Sequence, residues 1–210
     1  MKNTSLRAIL FCLLCSTISL SFAAEKYTLD NSHTFVEWRL SHFGFSNPSG
    51  KWFAKGDLHF DQDKLENSKV DVTINVAEPV TGIKKLDDHM RGKDFFDVKK
   101  FPKATYVSTK VVAVDQKNLT VDGDLTMHGV TKPVKLNVKI NNVGVNPVSN
   151  IETVGFTATG DIKRSDFGIS SYLPGLGDDV QLHIEGEATK GNIENNKDKQ
   201  DKPEKKQNES

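Results

Sequence analysis

The sequence predicts a mainly β protein whose strands close into an antiparallel barrel, with one helix across a connection between strands. Apolar and polar residues alternate with a period of two over most of residues 26–190, as is typical of strands with one buried face. Turn-forming residues separate the runs at short intervals, which favours antiparallel neighbours. Closing eight or nine such strands into a barrel removes the exposed sheet edges.

The alternation is clearest in several runs whose apolar members share one face. In chain order they are Val36/Trp38/Leu40, Leu58/Phe60, Val70/Val72/Ile74/Val76, Leu119/Val121/Leu125/Met127, Val134/Leu136/Val138/Ile140, Val154/Phe156/Ala158/Ile162 and Val180/Leu182/Ile184/Ala188. Clusters of Asn, Asp, Gly and Pro predict turns at 115–118, 128–129 and 141–147. These runs account for most of the predicted strands of the barrel.

One interval breaks the period of two. Within residues 81–92, Ile83, Leu86 and Met90 are spaced three and four residues apart, which predicts a helix. The threonine that opens this interval can cap the helix, and the glycine that closes it stands where the helix should end. A second, short turn is predicted over 94–98.

Both ends of the chain are predicted to lie outside the barrel domain, which we expect to span 24–190. Residues 1–23 combine two basic residues, an apolar run and a Ser-Phe-Ala cleavage site, which predicts an export signal peptide. Residues 191–210 are charged and almost free of apolar side chains, which predicts a disordered tail. The expected location is the periplasm, with secretion as the alternative.

Composition excludes several classes of chemistry. Both cysteines, Cys12 and Cys15, lie in the predicted signal peptide, so the mature chain would have no disulfide, no catalytic thiolate and no cysteine-bound metal. The whole chain has 28 basic and 28 acidic residues. Removing Lys2 and Arg7 with the signal leaves a mature net charge of −2, which argues against a nucleic-acid partner.

Four glycines fall on the inward faces of the predicted strands: Gly56, Gly123, Gly160 and Gly186. Small residues on several strands favour an open cavity in a barrel of about eight strands. Glycines that relieve strain where strands bend are the alternative. The other inward residues are almost all apolar, so a cavity of this kind would suit an acyl or isoprenoid chain.

No catalytic, metal or cofactor site is predicted. The six histidines lack the tight spacing of zinc ligands, and Asp87, Asp88 and His89 would point in different directions from a helix. The tripeptide Asp166-Phe167-Gly168 also occurs in protein kinases, but the chain lacks the glycine-rich and catalytic loops of that class. The sequence therefore indicates a binding protein rather than an enzyme.

An ordered set of short motifs resembles a known family across residues 26–190. The set comprises Tyr27-Thr28-Leu29-Asp30 with Ser32-His33, His42 with Gly44, Asp88-His89-Met90-Arg91, Asp94-Phe95-Phe96-Asp97-Val98 with Phe101-Pro102, Gly123 to Thr131, and Gly155-Phe156 through Arg164 to Ile169. The chain resembles the YceI-like family of periplasmic, lipocalin-like, polyisoprenoid-binding proteins. The resemblance implies an eight-stranded lipocalin-like barrel with a helix, holding a long isoprenoid or a quinone-type or fatty-amide lipid.

The predicted function is non-enzymatic binding, with transport or storage, of a polyisoprenoid, quinone, fatty amide or fatty acid. The residues expected to contact the lipid are Trp38, Trp52, Phe60, Leu125, Phe156 and Leu182 in the wall, Arg164 and Asp166 at the mouth, and Tyr172 and Leu173 in a gating loop over 170–179. For Arg164 two alternatives stand: a structural role, in which it pairs with Asp166 or caps a loop, or contact with the lipid head group. Two other functions remain open, an enzyme acting on the head group and a ligand-free envelope stress protein, as do a homodimer and transient membrane contact.

Overall fold

The computed structural model describes residues 24–191, which fold into one closed antiparallel sheet and one α-helix. The predicted signal peptide and the predicted tail after Gly191 lie outside the described residues. The strands are β1 (Glu25–Leu29), β2 (Phe35–Arg39), β3 (Ser49–Phe60), β4 (Lys69–Asn75), β5 (Lys103–Ala113), β6 (Asn118–Met127), β7 (Val130–Val145), β8 (Glu152–Lys163) and β9 (Asp179–Lys190). The helix α1 is Lys84–Met90 and lies between β4 and β5.

The nine strands form an eight-stranded barrel because β1 and β2 occupy the same position in the sheet. Both strands pair with β3 on one side and with β9 on the other, one after the other along the same line. The break between them, at 30–34, is held by Asp30, whose carboxylate accepts a hydrogen bond from the Ser32 backbone N–H at 2.9 Å. The pairing of β3 with β4 closes the cylinder. The predicted eight-stranded antiparallel barrel with one helix is confirmed.

The two ends of the barrel differ. We call the end that carries α1 the helix end; it contains the connections after β2, β4, β6 and β8, which are residues 40–48, 76–102, 128–129 and 164–178. The other end, the far end, has connections of at most eight residues, at 61–68, 114–117 and 146–151, and also both ends of the described chain. The long connections therefore gather at one opening of the cylinder.

The predicted inward faces are correct, but the glycines among them do not open the interior. A Cβ at Gly123 would overlap the ring of Tyr106, and one at Gly186 would overlap the ring of Phe156. At Gly160 it would lie 2.8 Å from Leu136 Cδ2. These glycines make room for neighbouring side chains rather than for a ligand. Their positions on the inward faces are as predicted, but they do not create a cavity.

Strand β5 was missed by the search for a period of two because a bulge shifts its phase. Ala104 and Tyr106 face inward before the bulge, and Val111 faces inward after it. The pairing with β6 slips between Ser108 and Lys110, so the odd positions take over the inward face from the even ones. Neither half of the strand is long enough to show a convincing alternation by itself.

Helix α1 is shorter than the interval 81–92 predicted for it. Thr81 does not cap the first turn in the expected way; its backbone N–H and its hydroxyl both donate to Asp87 Oδ1, at 3.0 and 2.7 Å. That pair of bonds fastens the preceding turn to the middle of the helix. The predicted second turn follows directly, with the Phe96 backbone N–H donating to the Met90 carbonyl at 3.1 Å.

At the far end, a polar cluster joins the first and last strands to β8. The Tyr27 hydroxyl donates to Glu152 at 2.7 Å, and Lys190 lies 3.1 Å from Glu152 and 2.6 Å from Glu25. The hydrogen bond from Tyr27, together with that from Lys190, holds the pKa of the Glu152 carboxyl below its usual range. The ionised form of Glu152 is therefore favoured by folding.

We expect the Glu152→Gln variant to melt at a lower temperature than the wild type near pH 7, and the difference to shrink as the pH falls below the usual pKa of a glutamate. A carboxyl whose folded pKa is depressed contributes stability above its unfolded pKa, and that contribution is lost as the pH falls through the folded pKa. Glutamine cannot be ionised, so the two proteins converge in acid. Melting followed by circular dichroism across this range checks it; a constant difference at every pH would contradict it.

Candidate functional site

The barrel encloses a cavity of about 700 Å³ lined by the inward faces of its strands. All six residues predicted for the wall line it: Trp38, Trp52, Phe60, Leu125, Phe156 and Leu182. The lining is almost entirely aliphatic and aromatic. A volume of this size lies within the range of about 300–1,000 Å³ that small-molecule sites occupy.

Several inward-facing side chains are only half-buried, although they lie well within the sheet. Val36, Val72, Leu182 and Ile184 belong to this set, and all four line the cavity. Inward residues of a filled barrel would be fully enclosed by their neighbours across the interior. Their accessibility shows that the protein's own side chains leave space unfilled in the interior.

Aromatic rings form the wall near the helix end. The ring centroids of Trp38 and Trp52 lie 6.2 Å apart, and Trp52 meets Phe96 edge to face at 4.9 Å. Both indole N–H groups are buried and have no acceptor among residues 24–191. A buried donor without an acceptor is costly. Stability of the barrel alone therefore does not explain the two indoles in this part of the wall.

The cavity opens at the helix end. Phe43, Ile83 and Tyr172 come from three different connections, and each one both lines the cavity and is exposed to solvent. Tyr172 stacks on Phe95 with the ring centroids 6.0 Å apart and meets the ring of His89 at 5.9 Å. The β8–β9 connection is thereby packed against the residues of and after α1, and together they form the rim.

Arg164 holds the β8–β9 connection in shape. Its side chain is only 4% exposed, and its guanidinium donates four hydrogen bonds of 2.8–3.0 Å to backbone carbonyl oxygens, those of Ile169, Ser171, Leu176 and Gly177. Burial lowers the pKa of Arg164 from its ordinary value, but a guanidinium stays charged at neutral pH. Arg164 reaches the cavity lining, but its donors are used by the loop itself.

Of the alternatives stated for Arg164, the structure supports the capping of a loop. The ion pair with Asp166 is not formed, because Asp166 is exposed and the guanidinium points to the loop carbonyls. The carboxylate close to the start of the β8–β9 connection is that of Asp178. It accepts hydrogen bonds from the backbone N–H and the hydroxyl of Ser165 at 2.9 and 2.8 Å. Asp166 and Leu173 do not line the cavity, whereas Tyr172 does.

The histidines divide between surface, structure and rim. His59 and His183 are exposed on the outer face, as predicted. His128, in the β6–β7 turn, lies with Nδ1 3.0 Å from the Phe167 carbonyl oxygen and has a structural role. His42 and His89 lie at the rim and line the cavity. Among residues 24–191 no group of three or more His, Cys, Asp or Glu side chains is arranged to hold a metal ion.

Sequence reasoning missed several residues of the lining. Tyr106 lies over the neighbouring strand β6, with its hydroxyl within hydrogen-bond distance of the carbonyl oxygens of Val121 at 3.1 Å and Val134 at 3.2 Å. Phe96, like Met90, is brought over the opening by the connection between β4 and β5. The spacing of Ile83, Leu86 and Met90 was the available signal, since one apolar face on a lone helix must cover part of the barrel.

Comparison with known proteins shows which family shares this architecture. The model of the YceI-like domain matches residues 27–188. The chain belongs to the YceI-like family. A UPF0312 protein of Pseudomonas putida (strain GB-1) is 36% identical over 190 residues, which cover 89% of this chain and 97% of the relative. The family match over residues 27–188 includes at least part of every strand and all of α1.

Solved structures of similar chains share the barrel. The YCEI protein of Campylobacter jejuni superposes with a TM-score of 0.66 at 34% identity, covering 72% of this YceI-like chain and 90% of that one. A domain of Saccharophagus degradans described as polyisoprenoid binding superposes with a TM-score of 0.59 at 16% identity, covering 79% and 98%. At that identity the second likeness is one of fold.

Proposed function

We propose that the chain binds one long-chain lipid, with the apolar chain inside the barrel and the polar end towards the helix end. The observation that carries this proposal is the empty cavity of about 700 Å³ with its apolar lining. Burial of each methylene contributes about 0.8 kcal/mol, so a long chain can bind tightly with few polar contacts. Twelve-residue strands such as β3, tilted by about 40°, give a barrel roughly 30 Å tall, which suits an extended chain.

Membership of the YceI-like family supports the proposal, and so does the shared fold of the S. degradans polyisoprenoid-binding domain. The ligand classes we propose are a polyisoprenoid, a quinone, and a fatty amide or acid. Carriage or storage of that lipid in the periplasm would follow from the predicted signal peptide. Among the residues that the structure describes, no helix is long and apolar enough to cross a membrane.

A charged head group would stay at the rim rather than enter the barrel. Arg164 is the buried cation of the lining, and its donors are already used by backbone carbonyls. Lys69 lies at the start of β4, at the far end. An anion placed in the interior would lose its hydration without gaining a free cation as its partner, which costs several kcal/mol. The part of the ligand inside is therefore the chain.

Native mass spectrometry of the protein purified from the periplasm, followed by organic extraction, tests the proposal. We expect a mass shift of one lipid per chain and an extract containing a long-chain amphiphile. A protein that carries no lipid and takes up no added geranylgeraniol would be the ligand-free alternative. Conversion of the extracted lipid on incubation with fresh protein, abolished in His89→Ala, would support the enzyme instead.

A further inference from the structure

Exposed apolar side chains crowd the rim of the cavity. Phe43, Phe45, Ile83 and Tyr172, which we call the rim patch, are 51%, 91%, 60% and 52% exposed. The Phe43 backbone N–H donates to the Gly175 carbonyl at 2.8 Å, so the β2–β3 loop is joined to the connection that carries Tyr172. Large apolar groups gathered at one place on a surface mark an interaction site.

The β2–β3 loop displays Phe45 rather than hiding it. The Phe45 backbone N–H donates to the His42 carbonyl at 3.0 Å, which closes a tight turn. Gly44 and Phe43 both have positive φ values, 73° and 51°, and left-handed backbone is unfavourable for a phenylalanine. The loop nevertheless adopts this conformation. It places the Phe45 ring in water at its tip, outside the cavity lining.

Positive charge accompanies the rim patch. Residues 84–93 contain four basic and two acidic side chains. Asp87 accepts hydrogen bonds from Thr81, and Asp88 pairs with Lys84 and Arg91.

This leaves Lys85 and Lys93, which are exposed and have no ion-pair partner among the described residues. Lys85 lies four residues before His89, on the same helix face, and the His89 ring packs against Tyr172. A free ammonium group therefore lies beside the exposed aromatic rings.

We propose that the helix end of the barrel docks on the surface of an anionic phospholipid membrane, so that lipid passes between bilayer and cavity without crossing water. Aromatic side chains with a neighbouring lysine are the combination that holds proteins at such interfaces. The rim patch surrounds the opening, so docking would place the mouth against the acyl region. This inference rests on the proposed function, because only a lipid cargo requires the mouth to meet a bilayer.

A membrane is favoured over a second copy of this chain as the occupant. In a two-fold symmetric dimer through the rim, the same patch on both copies meets itself. The basic segments 84–93 of the two copies would then face each other with like charge. An anionic bilayer instead complements that charge.

Co-sedimentation with phosphatidylcholine vesicles, with and without phosphatidylglycerol, tests the proposal. We expect the wild type to bind the phosphatidylglycerol vesicles and to release them in high salt. Phe45→Ser should lower the partition about tenfold, through loss of one inserted ring, and Lys85→Glu about fivefold, with a weaker salt dependence. Val148→Ser is the matched control, since Val148 is also 91% exposed but lies at the far end, and it should bind as the wild type does.

Geranylgeraniol binding without vesicles, measured by native mass spectrometry on the same proteins, separates the two proposals. Phe45 and Lys85 do not line the cavity, so we expect both variants to bind the alcohol normally. Vesicle binding that is absent in the wild type, or unchanged in Phe45→Ser, would overturn the docking proposal while the binding function stands. Loss of a concentration-dependent dimer in Phe45→Ser, without vesicle binding, would also overturn it and identify a second copy as the occupant. Vesicle binding without uptake of the alcohol would instead remove the proposed function.

Discussion

Replacing Arg164 with alanine is expected to lower the free energy of unfolding by about 3 kcal/mol or more, with no lipid present. The substitution removes four hydrogen bonds from a charged donor, each of which contributes about 1.5–3 kcal/mol when measured singly. It also leaves four carbonyl oxygens of the β8–β9 connection without that donor. Water can reach part of this connection, since Ser170 and Pro174 are exposed, so the losses will not simply add.

Urea unfolding followed by tryptophan fluorescence measures this effect, because both tryptophans lie in the barrel wall. Lys163→Ala is the matched control: it removes the neighbouring cation, which makes only an exposed ion pair with Asp179 at 2.6 Å. We expect the control to unfold at nearly the same urea concentration as the wild type, because an exposed ion pair contributes little to stability. Arg164→Lys should recover only part of the loss, since an ammonium cannot reproduce the planar fork of donors. Equal stability of the Arg164→Ala and Lys163→Ala proteins would show that Arg164 does not hold the loop.

Replacing Leu182 with tryptophan is expected to weaken lipid binding roughly 50-fold while the barrel remains folded. Leu182 faces the cavity opposite Trp38 in the β2–β9 register and is only half-buried, so the larger side chain has empty space to enter. An indole in that space displaces about three methylenes of a bound chain. Their burial contributes about 2.4 kcal/mol, which corresponds to the stated change in Kd.

Titration with geranylgeraniol in native mass spectrometry measures the change in affinity. His183→Trp is the matched control, because the adjacent side chain is exposed on the outer face of β9. It adds the same group without entering the cavity, and we expect its affinity to equal that of the wild type. Equal weakening in both variants would mean that the lipid does not occupy the barrel interior. Thermal melting of both proteins verifies that each is folded.

The barrel could be predicted from the sequence because the alternation that encodes it is local. Whether Trp38, Leu125 or Phe156 faces inward depends only on its position within its own strand, so six wall residues were placed correctly on the cavity lining. Strand β5 was not predicted because its alternation is not continuous: the slip between Ser108 and Lys110 reverses the alternation within the strand.

The mouth could be predicted only in outline. Its position at the connection after β8 and the involvement of Tyr172 follow from the order of the elements. The role of Arg164 does not, because its partners are backbone carbonyls, which every residue carries and no sequence pattern marks. Pairing with Asp166 and the capping of a loop were both open from the sequence, and only the structure shows that Asp166 is exposed to solvent in the 3₁₀ turn.

Periodicity and composition thus established the class of fold, the inward faces and the apolar character of the interior, since each depends on neighbours within a few residues. The open cavity depended instead on contacts between distant strands. Tyr106 fills the space beside Gly123, and Phe156 that beside Gly186, whereas Val36 and Leu182 line the cavity and stay half-buried. Packing between residues far apart in the chain decides which inward positions are filled and which remain empty, and no local pattern records it.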